Sequence, residues 1–87
     1  MASIAIDESV HSSAKEVFGT LGSVTVADLN KNSPSDAEIV VVRSRVKVDC
    51  HFMDKLRKLK IIATATSGKD HIDTKNAERR GVKVLDA

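Results

Sequence analysis

Three short polar stops, each directly after an apolar run, carry the side chains best suited to chemistry. Arg43-Ser44 follows Ile39-Val40-Val41-Val42, Thr66-Ser67-Gly68 follows Ile61-Ile62-Ala63-Thr64-Ala65, and Asp7-Glu8 follows Ile4-Ala5-Ile6. An arginine fork beside a hydroxyl suits a carboxylate or a phosphate, which accept two parallel N–H bonds. Small residues around a glycine let backbone N–H groups approach an anion closely. Arg43, Ser44, Thr66, Ser67 and Gly68 are therefore the candidate ligand-binding residues. A plainer reading stands beside this one, in which Gly68 only ends a strand.

Other reactive residues form no second site. His11, His51 and His71 are far apart in sequence, and no cysteine or second histidine sits at metal-ligand spacing from any of them. They are read as structural or solvated, with no metal site. The single cysteine, Cys50, excludes an internal disulfide framework and is read as a small buried hydrophobe. The four glycines, Gly19, Gly22, Gly68 and Gly81, contain no G-x-G-x-x-G, so no dinucleotide phosphate cradle is expected.

Composition narrows the partners. The 87 residues suit one domain, with a net charge of +2 from 14 basic and 12 acidic residues and only two aromatics, both phenylalanine. A domain this small buries only roughly 60 to 65% of its unfolded surface and has little stability in reserve. Without a basic stripe interleaved with stacking rings, nucleic acid is not an expected partner. The first residues, MASIAIDE, lack a basic region followed by a long apolar core, and no apolar run approaches membrane length. The expectation is a soluble, cytoplasmic protein.

The elements that must position the stops follow from periodicity. Ile4 to Ile6 form a first strand. Ser13 and Glu16 make a capping-box pattern, and Ala14, Val17, Phe18 and Leu21 recur at helical spacing before Gly22. Val24 and Val26 alternate with small or polar residues as an edge strand does, with Leu29 a candidate third member. Asn30 to Asp36 is a loop with at most one helical turn begun by Ser33-Pro34. Four successive β-branched or aliphatic residues, Ile39 to Val42, suit a central parallel strand buried on both faces. Asp49 caps a helix with an apolar face of Phe52, Met53, Leu56 and Leu59, and its Lys55, Arg57, Lys58 and Lys60 read as a solvated cluster. Ile61 onward gives another buried strand, Asp73 caps a short helix ending at Arg79-Arg80-Gly81, and Val82, Val84 and Leu85 give the last strand. Alternation of this kind, with right-handed crossovers, predicts a three-layer α/β fold of flavodoxin-like type. Its sheet is five-stranded and parallel in the order 2-1-3-4-5, and the three polar stops meet on one rim.

Four segments in order carry a family likeness: Val41-Val42-Arg43-Ser44-Arg45-Val46-Lys47-Val48, Leu59-Lys60-Ile61-Ile62, Gly68-Lys69-Asp70-His71-Ile72-Asp73 and Arg80-Gly81-Val82-Lys83-Val84. The chain resembles the amino-terminal part of D-isomer-specific 2-hydroxyacid dehydrogenases, with phosphoglycerate and erythronate-4-phosphate dehydrogenases as its nearest members. The likeness is densest from Ile39 to Ala87. It implies a partial substrate-binding domain over residues 1–87, lacking the helix that closes the family's flavodoxin-like fold. It also implies that Arg43-Ser44 faces substrate and that the Ser67-Gly68 turn offers N–H groups to its carboxylate. Thr66 stands where many members have glycine, and Thr64 to Gly68 is more similar to the erythronate-phosphate branch.

The resemblance further implies that NAD, the Rossmann domain and the catalytic Arg, Glu and His belong to the parent enzyme beyond this stretch. Alone, then, the chain is expected to bind a small carboxylate or phosphorylated hydroxy acid weakly and to catalyse nothing. A bare flank of Val, Ile and Leu on strands three to five would drive homo-oligomer formation, through that face or by exchange of an end segment. The competing reading is a non-catalytic, self-associating scaffold or an engineered fragment of the fold. A phosphoacceptor receiver needs a carboxylate where Arg43 stands, and a flavin module would find two carboxylates in its phosphate loop.

Overall fold

In the computed structural model, which describes residues 2–10, 13–31, 35–65 and 70–86, strands and helices alternate as the sequence requires. The strands are β1 (Ala2–Asp7), β2 (Gly22–Ala27), β3 (Ile39–Val42), β4 (Ile61–Thr64) and β5 (Lys83–Leu85). The helices are α1 (Ser13–Gly19), α2 (Cys50–Asp54) and α3 (Thr74–Arg79). All strand pairs are parallel, and the order is β2-β1-β3-β4-β5. This is the expected flavodoxin-like topology, with the sheet reversing its direction of growth between β1 and β3.

Strand alternation divides the core in two. Ala5, Val40, Val42 and Ile62 point to the face covered by α2 and α3, where they join Leu29, Val46, Val48, Phe52, Met53, Leu56, Leu59, Ile72, Ala77 and Val82. Ile4, Ile6 and Val41 point the other way, with Val10 and the half-buried Ala14 and Phe18 of α1. The second layer is much thinner. No described residue of α1 is fully buried, and Leu85, on the same face at the end of β5, is 45% exposed. Ile61 and Ala63 on that face are only half-buried, whereas Val41 is covered. The thinly covered flank thus runs over β4 and β5 and reaches the half-buried Ile39 of β3, while Val41 in that strand is covered.

Local signals explain the helix ends. The Asp49 carboxylate accepts the Phe52 N–H at 2.9 Å, and Asp73 accepts the Asn76 N–H at 3.1 Å, each satisfying one of a helix's orphan donors. Gly81, with φ of +72°, supplies the left-handed residue that turns the chain from α3 into β5.

The structure corrects the sequence reading at several points. The helix after Asp49 is five residues long, and Leu56 and Leu59 are buried from tight turns instead, through bonds Leu56 N–H to Met53 O and Leu59 N–H to Leu56 O. Val17 and Leu21 are 64% and 59% exposed, because α1 packs on the sheet's edge through Ala14 and Phe18. Leu29 and Val82 lie outside the strands although both are buried, and Cys50 is exposed at the start of α2. The expected helical turn at Ser33-Pro34 and the residue His11 lie outside the described residues.

The unequal layers give a test. Ile62→Ala opens a cavity in the thick layer and is expected to cost about 2 to 5 kcal/mol. Val17→Ala, on the exposed side of α1, is expected to change stability by no more than about 0.5 kcal/mol. Urea denaturation of both variants checks the contrast.

Candidate functional site

The carboxyl ends of β1 and β3 lie side by side and bring two of the expected polar stops together. At the end of β1, the Asp7 side chain is fully buried. It survives there because both oxygens are saturated. Oδ1 accepts the Leu29 N–H at 2.9 Å and Arg45 Nη2 at 3.0 Å, while Oδ2 accepts the Ser9 N–H at 3.1 Å, Arg45 Nε at 2.9 Å and the Ser9 hydroxyl. A buried carboxylate without such partners would be prohibitively costly. With them, it has no lone pair left for a substrate, a metal or a phosphoryl group, and this argues against the receiver reading independently of Arg43.

Arg45 is the other half of this arrangement. Its Nη2 also donates to Asp28 Oδ1 at 2.8 Å and lies 3.7 Å from Glu8 Oε1, so one guanidinium serves three carboxylates. Its own carbonyl accepts Asn30 Nδ2 at 3.2 Å. The ends of β1 and β2 and the loop after β3 are thereby tied together. Sequence reasoning missed this residue, although the signal was present in two carboxylates ending β1 and an arginine just past β3.

Arg43 and Ser44, the expected ligand-facing pair, are exposed at the end of the central strand. Arg43 Nη1 reaches the Ser9 carbonyl at 3.5 Å, a long contact that leaves most of its donors facing solvent. Thr66, Ser67 and Gly68 lie outside the described residues. Their flanks are described: the Ala65 N–H donates to Val42 O at 2.8 Å, which puts Ala65 against the residue before Arg43. On its far side, His71 Nε2 lies 3.0 Å from the Thr64 hydroxyl, and Val48 and Ile72 form a single parallel bridge. His71 is thus tied to the end of β4 by a side-chain contact. His51 is exposed on α2, and among the described residues no cluster of His, Cys, Asp or Glu is arranged to hold a metal. Nor is any helix of the described residues long and apolar enough to cross a membrane.

Electrostatics follow the hydrogen bonds. Burial alone pushes the Asp7 carboxyl up, but the Ser9 hydroxyl, the Arg45 guanidinium and the Leu29 and Ser9 N–H groups outweigh it and hold the group below its usual range. Arg45 is held above its usual value, chiefly by its bond to Asp7. The residues of this first βα turn do not fit a dinucleotide, because Asp7 and Glu8 occupy the place where a pyrophosphate needs N–H groups and a glycine.

An open parallel α/β sheet with polar loops at its switch point defines the class: a doubly wound α/β domain. Within that class the chain belongs to the D-isomer specific 2-hydroxyacid dehydrogenases, since residues 4–87 match the model of that family's catalytic domain. It is 35% identical over 92 residues to D-3-phosphoglycerate dehydrogenase of Methanocaldococcus jannaschii, a match covering all of this chain and 18% of that protein. It is 32% identical over 87 residues to erythronate-4-phosphate dehydrogenase of a Shewanella species (strain MR-4), covering 97% of this chain and 23% of that protein. The chain thus spans about a fifth of the length of these curated relatives. Among solved structures, D-lactate dehydrogenase from Aquifex aeolicus, complexed with NAD and lactic acid, has the same fold at a TM-score of 0.82 and 22% identity, over 97% of this chain and 27% of that one. The glyoxylate/hydroxypyruvate reductase of Sinorhizobium meliloti, in complex with NADP and malonate, does so at 0.83 and 20%, over 99% and 28%.

The Asp7 pair makes stability depend on pH. A carboxyl whose folded value is depressed stabilises the fold at pH above its unfolded value of about 3.9, and that contribution is lost as pH falls through the folded value. Asp7→Asn is therefore expected to be less stable than the parent chain at neutral pH, with the difference shrinking as the solution is taken toward about pH 3. Urea midpoints of both proteins across that range check the sign.

Proposed function

We propose that this chain is the substrate-binding portion of an NAD-dependent D-2-hydroxyacid dehydrogenase and that its rim receives the anionic end of a 2-hydroxy acid. The observation carrying this reading is Arg43-Ser44, exposed at the end of the central strand, with the Ala65 N–H bonded to the carbonyl of the residue before it. In this reading Arg43 gives a charged fork, Ser44 a hydroxyl, and Thr66, Ser67 and Gly68 supply further hydroxyls and main-chain N–H groups. Hydride transfer to NAD is assigned to residues outside those present, and the chain alone binds without turnover.

A phosphorylated hydroxy acid is the proposed substrate class. Support comes from relatives named for phosphoglycerate and for erythronate 4-phosphate, matched over all or nearly all of this chain. Titration with 3-phospho-D-glycerate and 4-phospho-D-erythronate, followed by amide NMR shifts, tests it. Weak saturable binding is expected in the parent chain, reduced about 10- to 100-fold in Arg43→Ala, the worth of a charge-assisted hydrogen bond. Absence of saturation, or equal binding by the variant, refutes the reading.

A second reading, a non-catalytic scaffold that self-associates, draws on the apolar residues left outside. Leu85, Val26, Val17 and Leu21 are between 45% and 64% exposed in a domain with a thin second layer. Both readings place the protein in the cytoplasm, with neither nucleic acid nor membrane as partner and with a second copy as one. Sedimentation equilibrium at micromolar concentration is expected to show dimers or larger species that Leu85→Lys shifts toward monomer.

A further inference from the structure

The two arginines of the 43–46 turn are in opposite situations. Arg43 is exposed and makes one long contact, whereas Arg45 is clamped by Asp7, Asp28 and Glu8. The backbone between them is fixed as well. The Val46 N–H donates to Arg43 O at 3.1 Å, Val46 and Val48 are fully buried, and Asn30 holds the Arg45 carbonyl. A two-pronged pair with a buried acid has one workable geometry, because the planar guanidinium must meet both oxygens at once. The loop can therefore tilt very little without breaking a bond to a desolvated charge.

Charge adds a second constraint. Asp7, Glu8 and Asp28 would together present three negative charges to any anion entering the rim. Arg45 lies among all three and offsets part of that field beside the exposed Arg43 fork.

We propose that Arg45 is the positioning residue of the rim. By gripping Asp7 and Asp28 across the ends of β1 and β2, it sets the direction in which Arg43 and Ser44 face a ligand's carboxylate or phosphate, and it does so without touching the ligand. This rests on the substrate reading of the rim. Arg45→Lys keeps the charge but loses the fork, and Asp28→Ala removes one arm while leaving the buried Asp7 pair intact, so both are suited to a folded comparison where Arg45→Ala would strand a buried acid.

The experiment measures binding of 3-phospho-D-glycerate together with amide hydrogen exchange at Val46, in the loop, and at Ile62, in the core. For both variants the expected result is binding weakened about tenfold and Val46 exchange accelerated about tenfold, with Ile62 exchange unchanged. Binding equal to that of the parent chain overturns the proposal. So does acceleration at Ile62 matching that at Val46, which would make Arg45 a general stabiliser. If the parent chain itself takes up no ligand, the substrate reading of the rim fails, and Arg45 is judged by exchange alone: selective acceleration at Val46 sustains its hold on the loop, and unchanged exchange overturns it.

Discussion

The structure depends most on keeping one carboxylate out of water. Asp7 ends β1 at the sheet's switch point, on the same face as Ala5, and continuing the alternation of that strand carries it into the interior. Desolvating a charge there is tolerable only when every lone pair is used, and five donors from three segments meet that demand. The segment after β2 approaches through the Leu29 N–H, the turn after β1 through Ser9, and the loop after β3 through Arg45. The shape of the rim is thus set by the needs of a residue that cannot itself meet a ligand.

This constraint puts the proposed ligand site and the stability of the fold on the same few residues. In doubly wound sheets ligands bind where loops diverge on either side of the switch point, which is also where backbone is least supported by the sheet. Here the divergence is bridged by ion pairing between side chains at the end of β1, in the loop after β3 and in the loop after β2. Such pairs contribute less to net stability than their geometry suggests, since desolvation offsets much of the attraction. What they contribute is definition, in that one arrangement of the rim satisfies the buried acid and neighbouring arrangements do not.

The fold was legible in the sequence because both of its periodicities were clean. Ile39 to Val42 and Ile61 to Ala63 read as parallel strands, Asp49 and Asp73 as caps, Gly81 as a left-handed turn, and each has that place in the structure, although Ile61 and Ala63 leave one face of β4 only half-buried where burial on both was expected. The rim was half legible. Arg43-Ser44 was recognised as a polar stop, whereas Arg45 was not, because an ion pair separated by 38 residues leaves no local pattern. Where helical spacing misled, at Val17, Leu21 and the residues after Asp54, the cause was position in the sheet and tight turns, neither of which a hydrophobic period encodes.

The inequality of the two layers has a consequence of its own. α1 touches the sheet through little more than Ala14 and Phe18, while α2 and α3 share a core with nearly every strand. Substitutions in α1 thus meet few neighbours and disturb less packing than substitutions on the opposite side. The thin side is where the fold has room to acquire new attachments, and the thick side preserves the inherited shape.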